Sequence, residues 1–411
     1  MRKHFYIISI VSFFFVSCRA ETEVYTSLFK CTPIMDNPYG VCSHINRKGD
    51  SYEFDTRFQD IVMISAVGAT FVRTDFDWNI CQPKVGGPYN FEQHIAMMEP
   101  VSQQKLQMLG ILWPPVLSRP NSQYIEYVKK NVAKYKKSVK YWEVVNEADQ
   151  LNKRRGDFTP DTYVRTLHEV NKIVKKENRH AKVLCSSIDF DKNLFFEKVF
   201  EAGAAKNFDI LNIHWYANLE TRPENLIGYL KWIQSLCAKY GVKKNAWLTE
   251  TGCTSAKGFA TEEIQAQRLP RIFLISFALG MEKVFWYKSR SCELSLDNNQ
   301  DYYGLWHKDY TPKPVFYAYK TLTKICPDKS TRPKLERNDN IYIASWKRPD
   351  NVKVWAMWTQ KGEENVVLDI QGWYTCYDLS GNTFELNDNN YIVSPNLIYI
   401  VGAKNVQIKN R

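Results

Sequence analysis

The chain alternates between strand-like and helix-like segments eight times between residues 40 and 324. Short apolar runs rich in β-branched and aromatic residues predict buried parallel strands, and amphipathic stretches between them predict helices. The predicted strands are Gly40–Ile45, Thr70–Phe76, Gln107–Trp113, Tyr141–Asn146, Lys182–Ile188, Asp209–Tyr216, Ala246–Glu250 and Lys283–Tyr287. Eight such β-then-α units predict an α/β fold, the (β/α)8 TIM barrel.

Helical patterns follow each of these strands. The predicted helices are Tyr52–Val67, Phe91–Gln104, Gln123–Lys136, Asp161–Glu177, Leu194–Ala205, Pro223–Tyr240, Thr261–Leu279 and Pro314–Lys324. An open, doubly wound sheet is the alternative, which we disfavour because the strand count is eight and no Gly-x-Gly-x-x-Gly motif follows the first strand.

The pattern changes after residue 326, where short strands are separated by turn residues. Ile341–Trp346 and Val352–Trp358 flank a turn and predict a hairpin. We predict a barrel domain over residues 21–326 and a small C-terminal antiparallel β-sandwich over residues 327–411. Because no low-complexity linker separates them, we expect the sandwich to pack on the barrel.

Residues 1–20 have the features of an export signal. Arg2 and Lys3 precede the apolar run Phe5–Val16, which is shorter than the roughly 20 residues needed to span a bilayer. The segment before Cys18 resembles a bacterial lipobox, which predicts a membrane tether through a lipidated Cys18; cleavage after Ala20 is the alternative. Either route predicts an exported protein that is periplasmic, tethered at the cell surface or secreted.

The net charge and the cysteine spacing bear on whether the chain binds nucleic acid, an acidic glycan or a metal ion. The formal net charge is +11, and many lysines fall on predicted helices, where they form a solvated face or attract an acidic glycan. No motif supports nucleic-acid binding. None of the 10 cysteines shows Cys-x-x-Cys spacing, so we predict neither a metal site nor a cofactor. Cys31 and Cys42 are close enough in sequence to form a disulfide.

Two glutamates stand at the ends of predicted strands. Glu147 follows the fourth strand and Glu250 ends the seventh. Burying an unpaired carboxylate costs several kcal/mol, so each belongs at a strand end that faces a cleft. Barrel enzymes have their active sites at the carboxyl ends of the strands. A pair of carboxylates at that end is what enzymes use to cleave a glycosidic bond. Other candidates near the same face are His44, Arg73, Trp113, Asn146, His214, Tyr216 and Trp286.

These motifs resemble glycoside hydrolase clan A. Val145-Asn146-Glu147 after a Tyr-Trp-Glu strand, with Thr249-Glu250 later, is similar to the clan's catalytic strands four and seven. His214-Trp215-Tyr216 looks like its sixth strand, and Phe76-Asp77-Trp78 is similar to the stretch after strand two in families 39 and 5. The β-sandwich also suits family 39.

The resemblance implies a retaining glycosidase with Glu147 as general acid/base and Glu250 as nucleophile. Arg73 and Tyr216 are expected to donate to Glu250, which must be ionised, and Asn146 is expected to bind the sugar 2-hydroxyl. Further sugar contacts are expected from stacking on Trp113 and Trp286 and from donation by His44 and His214. The expected partner is an oligo- or polysaccharide.

Structural roles compete with each of these assignments. Both glutamates can be members of ion pairs, Arg73 can pair with Asp75 or Asp77, and His214 can be a core histidine. Glu143 is expected to be supporting structure. A non-catalytic glycan-binding lipoprotein is the rival function, whereas serine and zinc hydrolases lack their Gly-x-Ser-x-Gly and His-Glu-x-x-His motifs. The loop from Ser289 to Trp306 is the long loop expected to contact substrate.

Overall fold

The computed structural model describes residues 22–45, 56–84, 86–113, 121–188, 194–295, 298–386 and 390–409. The predicted export signal and its Cys18 lie outside these residues, as does the beginning of the predicted helix Tyr52–Val67. None of the helices in the described ranges has the length and apolar character that crossing a membrane requires.

Eight parallel strands close into a barrel in sequence order. A short strand, β1 (Glu23–Tyr25), precedes them. The barrel strands are β2 (Tyr39–Cys42), β3 (Phe71–Phe76), β4 (Gln107–Leu112), β5 (Tyr141–Val144), β6 (Lys182–Leu184), β7 (Ile210–Tyr216), β8 (Asn245–Gly252) and β9 (Met281–Tyr287). Pairing of β2 with β9 closes the ring. The predicted TIM barrel is confirmed, and each predicted strand overlaps its observed counterpart.

Helices follow the barrel strands as the amphipathic patterns predict. They are α1 (Arg57–Ala66), α2 (Trp78–Cys81), α3 (Glu92–Gln103), α4 (Asn121–Tyr135), α5 (Ala148–Arg155), α6 (Pro160–Glu177), α7 (Leu194–Glu201), α8 (Asn225–Lys239), α9 (Glu262–Ala278) and α10 (Pro314–Ile325). The Thr159 hydroxyl accepts from the Thr162 amide and caps α6. The short helices α2 and α5 were not predicted, because the four residues of α2 are too few to show a period and the eight of α5 are mostly polar.

The barrel interior is apolar near the amino ends of its strands and polar near their carboxyl ends. Each strand contributes one side chain to the apolar layer, which contains Cys42, Phe71, Leu109, Tyr141, Leu184, Ile210, Trp247 and Phe285. Because Cys42 belongs to this layer, its thiol lies 3.1 Å from the carbonyl oxygen of Thr249. The prediction of a disulfide between Cys31 and Cys42 is therefore wrong, and both are free thiols.

The C-terminal region is antiparallel, as predicted. Its strands are β10 (Lys334–Asn338), β11 (Ile341–Lys347), β12 (Lys353–Thr359), β13 (Glu364–Gln371), β14 (Thr375–Tyr377), β15 (Thr383–Phe384), β16 (Asn390–Val393), β17 (Ile398–Val401) and β18 (Asn405–Lys409). A seven-stranded sheet has the order β1-β10-β11-β12-β17-β14-β15, and a three-stranded sheet has the order β16-β13-β18. Met357, Leu368 and Val406 belong to an apolar core shared by the two sheets.

Two features connect this region to the barrel. β1 pairs with β10, so residues near the amino terminus of the predicted barrel domain join the C-terminal sheet. Buried Glu224, just before α8, accepts from Arg271 of α9 at 2.6 Å and from the Trp358 indole of β12 at 2.8 Å. A carboxylate with two buried donors avoids the cost of an unpaired charge, and the network joins the sheet to the barrel helices.

Candidate active site

The chain leaves β5 through two residues in the left-handed region. Val145 has a φ of 67° and Glu147 a φ of 46°. A β-branched residue with positive φ is an outlier that the surrounding structure must hold, and such strain clusters at functional sites. The Ala148 amide donates to the Ser186 hydroxyl at 2.8 Å, which anchors the start of α5. This turn presents the side chains of Asn146 and Glu147 to the carboxyl end of the barrel.

An irregularity in β8 directs two consecutive side chains inward. Pairing with β7 shifts register between Ile213 and His214, so that His214 lies opposite Glu250. Thr249 and Glu250 consequently both contact residues inside the barrel, which a regular strand does not allow because its side chains alternate between faces.

Arg73 of β3 is the centre of a buried network. Its guanidinium donates to both Glu143 oxygens at 2.7 and 2.8 Å, to the Asn146 side-chain oxygen at 2.7 Å and to Glu250 at 2.5 Å. Of the partners expected from the sequence, the structure therefore brings Glu250 to Arg73, and Glu143 has the supporting position predicted for it.

Glu250 is held in its ionised form. Burial alone raises the pKa of a carboxyl group, but the positive charges of His214 and Arg73 and donation from the Tyr216 hydroxyl outweigh it and lower the pKa of Glu250 to about 2. The same negative charge, added to burial, raises the pKa of Tyr216 well above its ordinary value, so the phenol remains a donor.

His214 lies beneath both glutamates, and a chain of hydrogen bonds orients it. The Asn212 amide donates to the carbonyl of Cys185, and the Asn212 oxygen accepts from the Thr249 hydroxyl. The Thr249 oxygen is then left to accept from His214 Nε2, 3.1 Å away. His214 Nδ1 is therefore the ring nitrogen that faces the carboxylates.

The carboxylates favour a proton on that nitrogen. Nδ1 lies 3.2 Å from Glu147 and 3.6 Å from Glu250. Burial lowers the pKa of His214, but the charge of Glu250 and the hydrogen bond with Glu147 more than compensate, so its pKa is raised. With both nitrogens engaged and the ring buried, His214 links the glutamates and does not form a wall of the cleft. That position differs from the predicted donation to a sugar hydroxyl.

Oxygen atoms of Glu147 and Glu250 and a nitrogen of His214 lie within 4.8 Å of one another. These three residues could in principle hold a metal ion. The oxygens of Glu250, however, already accept from the Arg73 guanidinium and the Tyr216 hydroxyl, so a cation there would displace one of these donors or be repelled by the guanidinium. The donor set fits a carboxylate kept ionised for chemistry better than a metal ligand.

A cavity of about 550 Å³ opens above these residues. The predicted site residues that line it are His44, Arg73, Trp113, Asn146, Glu147, Tyr216 and Glu250. His44 Nδ1 lies 2.8 Å from buried Asp75, which orients the imidazole toward the cavity. Residues from six separate segments thus meet at the carboxyl end of the barrel, where the sequence predicted a site.

Like His214, Trp286 is a predicted site residue that does not line the cavity, and it also makes no contact with the two glutamates among the contacts of the described residues. It is fully buried, and its indole nitrogen donates to the Tyr303 carbonyl at 3.3 Å. Side chains alternate along β9, so Phe285 and Tyr287 face the barrel interior and Trp286 faces the opposite way. The stacking role expected for Trp286 is corrected accordingly, and Tyr287 lines the cavity in its place.

Several lining residues were not among the predicted site residues. They include Tyr287, Tyr303, Arg154, Phe259, Asn299 and Gln300. Three of these, Asn299, Gln300 and Tyr303, belong to the loop from Ser289 to Trp306 that was expected to contact substrate. Tyr287 could have been identified from strict alternation along its strand, whereas Arg154 and Phe259 carry no local signal.

Comparison with known proteins identifies the family to which the barrel belongs. The family described as "Glycosyl hydrolase catalytic core" matches residues 69–315, more than half of the chain and most of the barrel. No curated protein sequence matches the chain significantly.

Solved structures with this fold include three glycosidases. A family 39 glycoside hydrolase from Bacteroides cellulosilyticus has a TM-score of 0.73 and 19% identity, covering 90% of this chain and 81% of its own. A glucosidase from Croceicoccus marinus has a TM-score of 0.67 and 12% identity over 93% and 98% of the two chains. A family 39 β-xylosidase from Caulobacter crescentus has a TM-score of 0.63 and 10% identity over 92% and 99%. With its two glutamates at the carboxyl end of a closed barrel, the chain belongs to the glycosyl hydrolase catalytic-core family and is a glycoside hydrolase with a fold like that of the family 39 enzymes.

Proposed function

We propose that the chain cleaves O-glycosidic bonds with retention of configuration, with Glu250 as nucleophile and Glu147 as general acid and base. The observation that carries this assignment is the contrast between the two carboxylates. Glu250 accepts from Arg73 and Tyr216 and is held ionised, whereas Glu147 has no guanidinium contact among the described residues. A nucleophile must be ionised, and an acid must be able to carry a proton.

The spacing of the carboxylates supports retention. Retaining glycosidases have carboxyl groups about 5–5.5 Å apart, and inverting enzymes need about 6.5–9.5 Å to admit a water molecule. Oxygens of Glu147 and Glu250 lie within 4.8 Å of each other. The shorter separation leaves no room for water between base and sugar, so direct attack by Glu250 is favoured.

In the first step, a Glu250 oxygen forms a bond to the anomeric carbon while the glycosidic C–O bond breaks, and Glu147 gives its proton to the departing oxygen. In the second step, Glu147 removes a proton from water, whose oxygen attacks the anomeric carbon and releases Glu250 as a carboxylate. Asn146 is suited to bind the 2-hydroxyl, because it lines the cavity and Arg73 fixes its side-chain oxygen.

The proposed substrate is an oligo- or polysaccharide outside the cytoplasm. The charged start, short apolar run and Cys18 of residues 1–20 motivate the proposal of export, with lipidation of Cys18 as a tether. Mass spectrometry of the amino terminus of the protein isolated from its native membrane tests it. A mature chain that begins at a lipidated Cys18 is expected, and an unprocessed Met1 would contradict export.

A panel of aryl glycosides and polysaccharides tests the activity, with Glu250→Ala, Glu147→Ala and the exposed-residue control Glu126→Gln. Each active-site variant is expected to lose about 10⁴-fold or more in kcat, and the control to keep wild-type rates. Proton NMR of the first product formed gives the anomeric configuration, and azide added to Glu250→Ala should yield a glycosyl azide of inverted configuration.

Two outcomes would contradict the assignment. Full activity of Glu250→Ala on a cleaved substrate would place the nucleophile elsewhere. Saturable glycan binding by the wild type without cleavage of any panel member would instead favour a glycan-binding lipoprotein.

A further inference from the structure

A second cavity lies at the opposite end of the barrel from the active site. Its volume is about 480 Å³, and its walls include Tyr141, Lys182, Ile210 and Asn245, the first residues of β5, β6, β7 and β8. Residues of the segment between β1 and β2 complete it. None of its lining residues lines the active-site cavity, so ligands could occupy the two cavities independently.

The walls of this cavity carry six basic and three acidic side chains, and all three acids are already engaged. Asp36 pairs with Lys329, and Asp209 pairs with Lys175 at 2.6 Å. Glu282 accepts from the Asn245 amide at 2.5 Å and from the Trp247 indole at 3.1 Å. Asp36 and Asp209 thus form their ion pairs with lysines outside the cavity lining, and the lining, with six basic and three acidic side chains, has a formal net charge of +3.

The lining lysines have no such partners. Among the described residues, no carboxylate oxygen lies within 4.0 Å of the Nζ atom of Lys30, Lys182, Lys243, Lys244 or Lys283. The sixth cation, Arg332, donates to backbone carbonyls, including that of Met281 at 2.8 Å. Several cations that converge on one concave surface raise the local positive potential, which concentrates anions there.

Lys283 is the most constrained of these cations. It is 5% exposed, and its ammonium donates to the backbone carbonyls of Asp36 and Asn37 at 2.8 and 3.1 Å. The ammonium lies 4.5 Å from the centre of the Phe71 ring. Burial lowers the pKa of Lys283 to about 8, because neutral carbonyls and a ring do not fully replace water around the charge. An ammonium has three donors, so one remains for a ligand.

We propose that this cavity binds an oxyanion of the phosphate type, with Lys283 at its floor and Lys182, Lys243 and Lys244 around it. A compact anion with several acceptor oxygens matches ammonium groups contributed by β6, by β9 and by the two residues that precede β8, and its charge would offset the net positive charge of the lining. The phosphate is either free or carried by a lipid headgroup. The second source would fit a chain tethered through Cys18, because Lys30, only 12 residues later, lines the cavity.

The test compares two double variants of the mature full-length protein. Lys182→Ala/Lys243→Ala removes two exposed cavity lysines whose side chains make no hydrogen bond within the described structure. Lys172→Ala/Lys176→Ala removes the same formal charge from exposed positions on α6 and serves as the matched control. Neither pair belongs to the catalytic cavity, so glycosidase activity should be unchanged in both.

Inorganic phosphate and vesicles of phosphatidylcholine with and without phosphatidylglycerol are the probes, measured by calorimetry and sedimentation. The cavity variant is expected to bind one or both probes at least about tenfold more weakly than the control. Saturable phosphate binding would identify a free ligand, and vesicle binding without phosphate binding would identify a headgroup. Equal binding by both double variants, or no binding of either probe to the wild type, would overturn the proposal. Because activity is measured separately, failure of the proposed hydrolysis would not be confused with failure of this site.

Discussion

The buried cation at the carboxyl end of the barrel has carboxylate partners, whereas the buried cation at the amino end has neutral ones. At the carboxyl end, Arg73 donates to two carboxylates and to the side-chain oxygen of Asn146. At the amino end, Lys283 has carbonyl oxygens and an aromatic ring around it, and the nearby acids bind other partners. One barrel thus has an internally compensated site, which is preorganised for catalysis, and an uncompensated one, which is suited to attract an anion.

Replacing the buried cation by methionine at each end of the barrel should give the largest difference in stability and in kcat. Arg73→Met leaves Glu143 buried without its countercharge and leaves His214 as the cation beside Glu250, so we expect the free energy of unfolding to fall by about 3–5 kcal/mol and kcat to fall by at least about 10²-fold. Lys283→Met is expected to cost about 1–3 kcal/mol for two orphaned carbonyls and to leave kcat within about twofold. Urea unfolding and steady-state kinetics measure both. Comparable losses of kcat in the two variants would show that the ends are functionally coupled.

The low pKa of Glu250 predicts how the carboxyl end responds to acid. Its folded pKa of about 2 is below the ordinary value of 4.5, so its ionised form stabilises the fold fully above about pH 4.5, and this contribution is lost as pH falls toward 2. The contribution is on the order of 3 kcal/mol. Urea unfolding between pH 6 and pH 2.5 should show a steeper loss of stability for the wild type than for Glu250→Gln. Parallel curves would contradict the depressed pKa.

Tyr216→Phe removes one of the two strong donors to Glu250. We expect kcat to fall by about 10²-fold and the acid limb of the kcat/KM profile to move to higher pH, because the pKa of Glu250 rises when a donor to its ionised form is lost. Tyr124→Phe is the matched control, since this buried phenol donates to the Leu112 carbonyl. An unchanged pH profile in Tyr216→Phe would indicate that His214 and Arg73 suffice to keep Glu250 ionised.

The smallest expected effect concerns the wall of the active-site cavity. Trp113→Ala should raise KM about tenfold with little change in kcat, because a stacking surface binds ground state and transition state alike. Trp373, 96% exposed on the C-terminal region, gives the control Trp373→Ala, for which no change is expected. An unaltered KM in Trp113→Ala would mean that Trp113 lines the cavity without contacting the sugar.

The sequence predicted the barrel and most of the carboxyl-end site because both follow local rules. Strand composition and helix periodicity repeat within each unit. A carboxylate at the end of an apolar strand is costly to bury unpaired, so it is expected at a cleft. Glu147, Glu250, Arg73 and Tyr216 were placed at this end in this way, whereas Tyr287, Arg154 and Phe259 were missed. Trp286 was misassigned because a strand-end tryptophan was placed at the cleft without applying alternation along β9.

Other features depend on contacts between distant segments. The left-handed turn at Val145, the register shift that turns both Thr249 and Glu250 inward, and the pairing of β1 with β10 have no local signature. The proximity of Cys31 and Cys42 in sequence was misleading, because strand geometry directs Cys42 into the barrel.

The sequence by itself determined that this chain forms eight βα units with glutamates at the ends of the fourth and seventh strands. These features could be predicted because the period of the apolar residues, the composition of a strand and the cost of burying a charge all depend on short segments of the chain. The tertiary structure alone decided which donors reach Glu250, which aromatic side chain faces the cavity, and that five lysines from four segments line one cavity without an ion pair among the described residues. Those outcomes follow from closing the barrel, which brings together residues far apart in the chain and sets the direction in which each side chain points.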